Sequence, residues 1–363
     1  MSQLRDSKIV LSKFIIKDTP GNLRGNFRMF TLLKGKLLII SFLILVFGLF
    51  AGGCSSSQKN QTASGNAKQE QAVVEFKYPK NPSFDLVNIA DDLGYWEGTG
   101  VKPKYVGAVA AGQIIPAVST GAIDLGARHV PLSIAAIAGG ADMKVISAGN
   151  ETTPDYPHMK YFVRADSGIK DIKDLVGKKI GINSFGACSE YVTKKYLRDN
   201  GLEDKVKFLV VANDQLEQSL RQGLIDVAII HPPDSGRAEA SSELRRLWSD
   251  YDIDQGASGM MAYSASGKFL RSNPEAAKKI VEVLAKTANW VDANPVEARK
   301  LVAKELNIDL SLVEGYSYYK DQVIQDQPVK YWVDRLEAEG KIEQGKWKTT
   351  DFYTNEYNPN VKK

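Results

Sequence analysis

GAIDLGARHVP, residues 121–131, and GLIDVAIIHPP, residues 223–233, share the pattern G-x-I-D-x-x-x-x-H-x-P. A glutamine stands eight residues before the first glycine of each copy, at Gln113 and Gln215. Glycine at the end of a helix takes a positive φ without steric cost, and isoleucine favours a strand. The repeat therefore predicts the same helix-to-strand junction in two similar lobes.

Short apolar runs alternate with helical patterns on both sides of each copy. VVEFKY, residues 73–78, precedes the first copy, and IGIN, residues 180–183, precedes the second. Such alternation is typical of βαβ units. The sequence thus predicts an α/β fold with two lobes, each a mainly parallel sheet flanked by helices. Further packing helices are expected after Asn273-Pro274 and Asn294-Pro295, where asparagine precedes proline at a first turn.

Polar residues follow the predicted strand of each copy. They are Arg128 and His129 in the first copy, and His231 and Asp234 in the second. Open parallel sheets bind ligands at the carboxyl ends of their strands. Asp124 and Asp226 precede the strands, and we expect them to organise the turn rather than bind a ligand.

The composition is that of a globular protein with two domains. The chain has 363 residues, of which 43% are hydrophobic and 25% charged, with a net charge of +4. The first 53 residues hold eight Lys or Arg and two Asp or Glu, so 39 basic and 41 acidic residues remain. Nothing in this balance indicates nucleic-acid binding.

An apolar run at residues 37–50 follows two lysines, Lys34 and Lys36. Its length suits the core of a signal peptide better than a bilayer span, although a single membrane anchor is the alternative. AGGC, residues 51–54, resembles the lipobox of bacterial lipoproteins, with alanine where leucine is usual, and so makes Cys54 the expected lipidation site. Residues 1–53 would be the signal peptide, with Met29 an alternative start, and the polar residues 54–72 a flexible tether.

Motifs for catalysis and cofactors are absent from the sequence. It contains neither a G-x-x-x-x-G-K-[ST] loop nor G-x-G-x-x-G after the first strand. The three histidines lie far apart without metal-ligand spacing, and Cys188 has no disulfide partner if Cys54 carries lipid. The expectation is no cofactor, no metal site and binding rather than catalysis.

Several segments in order resemble the nitrate/sulfonate/taurine-type substrate-binding proteins of ABC importers. They include SFDLVNIADDLGYWEGTGVKPKYV, GQIIPAVSTGAIDLG, SGIKDIKDLVGKKIGINSFGA and NPEAAKKIVEVLAKTANWVDANPVEA. The resemblance implies a type II periplasmic-binding-protein-like fold with two crossings between lobes, at residues 159–167 and 258–266. Lobe I would comprise residues 73–163 and lobe II residues 164–262, and residues 263–363 would return to lobe I with the C-terminal helices.

The resemblance also implies an interlobe cleft that binds a small anion, which Arg128 could pair with two hydrogen bonds. The expected ligand-binding residues are Asn81, Ser83, Phe84, Ala111, Gly112, Gln113, Arg128, His129, Ser184, Phe185, Gly186, Ala187, Cys188, His231 and Asp234.

The expected partners are a small anionic solute, an ABC permease with its ATPase, and the cell membrane through the lipid anchor. The protein would act outside the cytoplasm as a monomer. Two alternatives remain at this point: an enzyme of the same fold, of the pyrimidine or menaquinone biosynthesis type, and a receptor without transport.

Overall fold

The structure is a computed structural model that describes residues 73–80 and 84–361. The predicted signal peptide, Cys54 and the tether lie outside the described residues. The strands are β1 (Val74–Tyr78), β2 (Val101–Tyr105), β3 (Leu125–His129), β4 (Met143–Ser147), β5 (Asn150–Glu151), β6 (Lys160–Arg164), β7 (Lys179–Ile182), β8 (Lys207–Val210), β9 (Val227–Ile230), β10 (Leu244–Ser249), β11 (Met261–Ser266) and β12 (Ser317–Tyr318). The α-helices are α1 (Leu86–Asp92), α2 (Ile114–Ser119), α3 (Val130–Ala138), α4 (Cys188–Asp199), α5 (Asn213–Arg221), α6 (Asp234–Glu239), α7 (Asp250–Ile253), α8 (Gly267–Ser272), α9 (Pro274–Ala293), α10 (Pro295–Leu306) and α11 (Asp326–Ala338).

The strands form two main groups. In the first, β3-β11-β4 form one sheet and β1 pairs with β2 in parallel, and β1 contacts β3. In the second, five strands have the order β10-β6-β9-β7-β8. The chain passes from the first group to the second before β6 and returns between β10 and β11. The predicted number of crossings is thus confirmed, and the bounds of the lobes stay a prediction.

The sheets are more mixed than the predicted parallel arrangement. Strand β7 pairs in parallel with β8 and β9, as a βαβ connection requires. In contrast, β6 and β10 in the second sheet and β11 in the first pair antiparallel with their neighbours. Strands β6 and β11 are the first strands after each crossing. The chain reaches each of these strands from the other lobe and not through a helix packed on the same sheet. The parallel direction that a βαβ connection imposes therefore does not apply to them.

The two copies of the repeat have the same local structure. Gly121 and Gly223 follow helices α2 and α5 with φ of 72° and 70°. The Asp124 carboxylate accepts the Lys77 backbone N–H at 2.8 Å, and its own N–H donates to the Lys77 carbonyl at 2.9 Å. Asp226 makes both bonds with Lys179, each at 2.8 Å. Each aspartate therefore fastens its turn to the neighbouring strand, in agreement with the predicted structural role.

The C-terminal helices divide between two hydrophobic cores. Helices α9 and α10 pack in a core that includes residues of β1, β3 and α1. Helix α11, with Trp332 buried, packs instead in a core that also contains Val145 of β4 and Ile180 of β7. This second core therefore joins the two sheet groups. None of the helices in the described part of the chain has the length and apolar content that a membrane crossing needs.

Candidate functional site

A cleft of about 920 Å³ lies where the carboxyl ends of strands from both sheet groups meet. Tyr78 at the end of β1 and Arg128 at the end of β3 line it from the first group. Asn183 after β7 and His231 after β9 line it from the second. This is the edge at which α/β sheets bind ligands, and the repeat delivers one histidine to it from each copy.

Arg128 is the buried cation of the cleft wall. Its side chain is 5% exposed, and its Nη2 donates to the Ser184 hydroxyl at 3.2 Å. Its Nε has no hydrogen-bond partner, and no carboxylate within the described residues forms an ion pair with it. Burial lowers the pKa of the Arg128 guanidinium below its ordinary value. A buried charge without a counter-ion is costly, so this position favours an anionic ligand.

The structure brings about half of the predicted ligand-binding residues to the cleft. The lining contains Ala111, Gly112, Arg128, His129, Ser184, Phe185, His231 and Asp234. Gly186, Ala187 and Cys188 are not part of this lining, and Gln113 is exposed to solvent away from it. Asn81 and Ser83 lie outside the described residues.

Phe84 lies in the hydrophobic core rather than on the cleft wall. It is 3% exposed and packs edge-on against Tyr316, with ring centroids 6.1 Å apart. The next residue, Asp85, lines the cleft instead and accepts hydrogen bonds from the Tyr78 hydroxyl at 2.6 Å and from the Val87 N–H at 2.8 Å. Burial raises the pKa of the Asp85 carboxyl.

The N-terminus of α4 already contains a carboxylate. Glu190, in the first turn, accepts the Gly186 N–H at 2.6 Å and lies 2.5 Å from the Lys194 ammonium. It therefore satisfies an amide that an anion would otherwise bind. Ser184 and Phe185, earlier in the same loop, remain on the cleft wall.

A cluster of four metal-ligating side chains lies at the base of the cleft: His129, His158, Cys188 and His231, called here the His/Cys cluster. One candidate ligand atom from each lies within 4.8 Å of the others. His129 and His231 also line the cleft, and their ring centroids are 6.0 Å apart. The sequence spacing predicted no such grouping, but the fold brings the four residues together.

Burial sets the protonation of the His/Cys cluster. It lowers the pKa values of His129 and His158 well below the ordinary range, and lowers that of His231 to about 3, so all three rings are neutral at physiological pH. Burial also raises the pKa of the Cys188 thiol well above its ordinary value, while the charge of Arg128 acts in the opposite direction. In this state each ring offers a nitrogen lone pair.

Two further residues of the site gave no sequence signal. His158 precedes β6 and contributes to the His/Cys cluster without belonging to the repeat. Tyr316 comes from beyond α10, lines the cleft and donates a hydrogen bond to the Pro232 carbonyl at 3.0 Å. Both reach the site through long-range folding, which local patterns do not encode.

Three known proteins illustrate what the chain is similar to. A 4-amino-5-hydroxymethyl-2-methylpyrimidine phosphate synthase of Saccharomyces cerevisiae is 23% identical over 255 residues, covering 65% of this chain and 73% of the relative. The alkanesulfonate-binding protein SsuA from Xanthomonas axonopodis pv. citri, bound to MOPS, has a TM-score of 0.65 at 16% identity, covering 78% of this chain and 99% of that one. A ligand-binding component of an ABC-type import system from Staphylococcus aureus, solved with zinc bound, has a TM-score of 0.67 at 13% identity, covering 80% and 99%.

The model of the NMT1/THI5-like family matches residues 81–298, more than half of the chain. The matched region contains both copies of the repeat and all four residues of the His/Cys cluster. The chain therefore belongs to the NMT1/THI5-like family and has the periplasmic-binding-protein fold that the resemblance implied.

Proposed function

We propose that this protein binds a small anion in its cleft outside the cytoplasm and delivers it to an ABC import permease. The anion belongs to the sulfonate, taurine, nitrate or carboxylate class. The resemblance to SsuA and to the import component from Staphylococcus aureus supports a transport role. The cleft volume of about 920 Å³ is in the range of small-molecule sites.

The main support for this proposal is the buried and unpaired guanidinium of Arg128. Its guanidinium is buried beside the cleft, with a free Nε and a single neutral partner, Ser184. An oxyanion at this position can accept two N–H groups from the planar guanidinium. The same anion neutralises a charge that the described residues leave unpaired.

Binding fits the site better than catalysis, although the yeast relative is a synthase. A cysteine nucleophile reacts as its thiolate, and burial raises the pKa of Cys188, which keeps it a thiol. His129 accordingly contacts a protonated sulfur, Cys188 Sγ, at 3.0 Å. Cys188 is thus not prepared as a covalent nucleophile.

A charge-matched pair of ligands tests anion binding. We expect calorimetry on the full-length protein to detect binding of methanesulfonate, nitrate, acetate or taurine. For a preferred sulfonate or carboxylate, the amide of the acid group, such as methanesulfonamide for methanesulfonate, should bind at least about tenfold more weakly, since a hydrogen bond to a charged group contributes about 1.5 to 3 kcal/mol. Equal affinity for anion and amide, or no binding by any of the four anions, would refute the proposal.

Lipidation at Cys54 is a separate part of the proposed function, resting on AGGC and the preceding apolar run. Cells that express the protein and are fed an alkyne fatty acid should label the wild type. Cys54→Ser should lose the label, whereas Ser55→Ala, one residue later, should keep it. Equal labelling of wild type and Cys54→Ser would show that the chain carries no lipid at this cysteine.

A further inference from the structure

The His/Cys cluster collects donor atoms from four distant segments at one point. His129 ends β3, His158 precedes β6, Cys188 begins α4 and His231 follows β9. The Nε2 atoms of His129 and His158 are 2.7 Å apart, and Cys188 Sγ lies 3.0, 3.6 and 3.8 Å from the Nε2 atoms of His129, His158 and His231. Three nitrogens and one sulfur thus face a common centre.

These separations are close to the edges of a coordination tetrahedron. Zinc–nitrogen bonds of about 2.0 Å and zinc–sulfur bonds of about 2.3 Å place tetrahedral ligands roughly 3.3 to 3.6 Å apart. The Cys188 contacts to His158 and His231 already lie near this range. The two shorter contacts, both to His129, need an outward shift of roughly half an ångström to accommodate an ion.

Hydrogen bonds within the protein, such as that between the Nε2 atoms of His129 and His158, satisfy the His/Cys cluster only in part. His158 Nδ1 contacts the Asn150 amide nitrogen at 3.0 Å, but Nδ1 of His129 and Nδ1 of His231 have no partner. Buried polar atoms without partners are unfavourable and uncommon, and they often mark a functional site. The unpaired atoms are Nδ1, whereas the Nε2 atoms lie next to one another and to Cys188 Sγ, so the case for a metal ion rests on the geometry of the Nε2 and sulfur atoms.

The chemistry of the donors indicates the kind of ion. Imidazole nitrogens and a thiolate suit zinc and similar transition metals, whereas magnesium and calcium prefer oxygen ligands. A neutral imidazole offers a lone pair at one ring nitrogen, so a metal ion at His158 Nε2 requires the ring proton on Nδ1, which faces the Asn150 side chain. Cys188 would lose its thiol proton to solvent as the metal–sulfur bond forms, and the thiolate would reduce the charge of the bound ion by one unit.

Access to the His/Cys cluster is from the cleft. His129 and His231 line the cleft wall, and His231 is only partly buried. His158 and Cys188 lie behind them and are 0% and 1% exposed. An ion that enters from the cleft would therefore contact His129 and His231 before it contacts His158 and Cys188.

We propose that His129, His158, Cys188 and His231 bind one Zn²⁺ ion at the base of the cleft. The site requires neither the proposed anion nor transport, because all four donors belong to this chain. It places a second cation beside Arg128. His129 and His231, one from each lobe, would then both be ligands of the same ion.

Zinc and cobalt titrations of the full-length protein, stripped of metal by a chelator, test the site. We expect one Zn²⁺ to bind per chain in competition with a chromophoric chelator, and Mg²⁺ not to compete. Co²⁺ should give the visible bands of a tetrahedral site and a thiolate-to-cobalt charge-transfer band. Cys188→Ser should remove the charge-transfer band and weaken zinc binding by at least about 100-fold, since even changes behind the ligands cost 10- to 100-fold.

Ser189→Ala is the matched control, because it removes a buried hydroxyl from the next residue of α4 without removing a donor. It should keep the zinc affinity and the cobalt spectrum. If Cys188→Ser fails to fold, His231→Gln at the cleft edge serves instead and should weaken zinc binding at least about tenfold. Absence of zinc binding in the wild type, or a charge-transfer band that persists in Cys188→Ser and so arises at Cys54, would overturn the proposal.

Discussion

Arg128→Met should weaken binding of the anionic solute by about 2 to 5 kcal/mol, the usual cost of removing one partner of a buried charge pair. This corresponds to a loss of roughly 30-fold to several-thousand-fold in affinity. Methionine keeps most of the side-chain length and removes the charge. Calorimetry with the anion that the wild type binds measures the difference directly.

Two comparisons separate a ligand contact from a structural role for Arg128. Arg271→Met removes an exposed arginine that pairs with Asp142 at 2.8 Å, and it should leave the affinity unchanged. Without ligand, Arg128→Met should unfold in urea at the same concentration as wild type or a higher one, because the arginine is buried without a counter-ion. Unchanged affinity, or a loss of stability that parallels the loss of binding, would assign Arg128 to the fold instead.

Gly149→Ala should destabilise the fold by about 2 to 5 kcal/mol. Gly149 has φ of +77°, which costs an alanine about 1 to 2 kcal/mol, and relief of the steric overlap adds about 1 to 3 kcal/mol. A Cβ at this position would lie 1.9 Å from the Met261 carbonyl oxygen of β11. The backbone cannot move easily, because the Gln322 side chain bonds both the N–H and the carbonyl of Gly149.

Gly98→Ala isolates the conformational part of this effect. Gly98 has φ of +71°, but a Cβ there has no atom within 4 Å. It should cost only about 1 to 2 kcal/mol. Urea unfolding of the two variants measures both values, and equal destabilisation would mean that the contact with β11 contributes nothing.

The repeat predicted the local structure well because its residues act over short distances. Gly121 and Gly223 end their helices through positive φ, and Asp124 and Asp226 bond the adjacent strand, as their residue types favour. The position of Arg128 at a strand end also followed from the pattern. These features depend on a few neighbouring residues, so they can be predicted from the local sequence.

The rest of the site depends on contacts that cross the chain. The sequence predicted Phe84 on the cleft wall, but Phe84 packs against Tyr316, more than 200 residues away, and Asp85 lines the cleft instead. The His/Cys cluster was missed for the same reason, since His129 and His231 meet His158 and Cys188 only in the folded chain. Neither residue spacing nor periodicity in the sequence indicates which distant residues come into contact.

Arg128 and His129 are consecutive residues of β3, so the proposed anion and cation sites share one strand end. Thermodynamic linkage requires that if a bound anion raises the affinity for Zn²⁺, then Zn²⁺ raises the affinity for the anion by the same factor. In that case, the same protein would bind its anion less tightly in a medium poor in zinc.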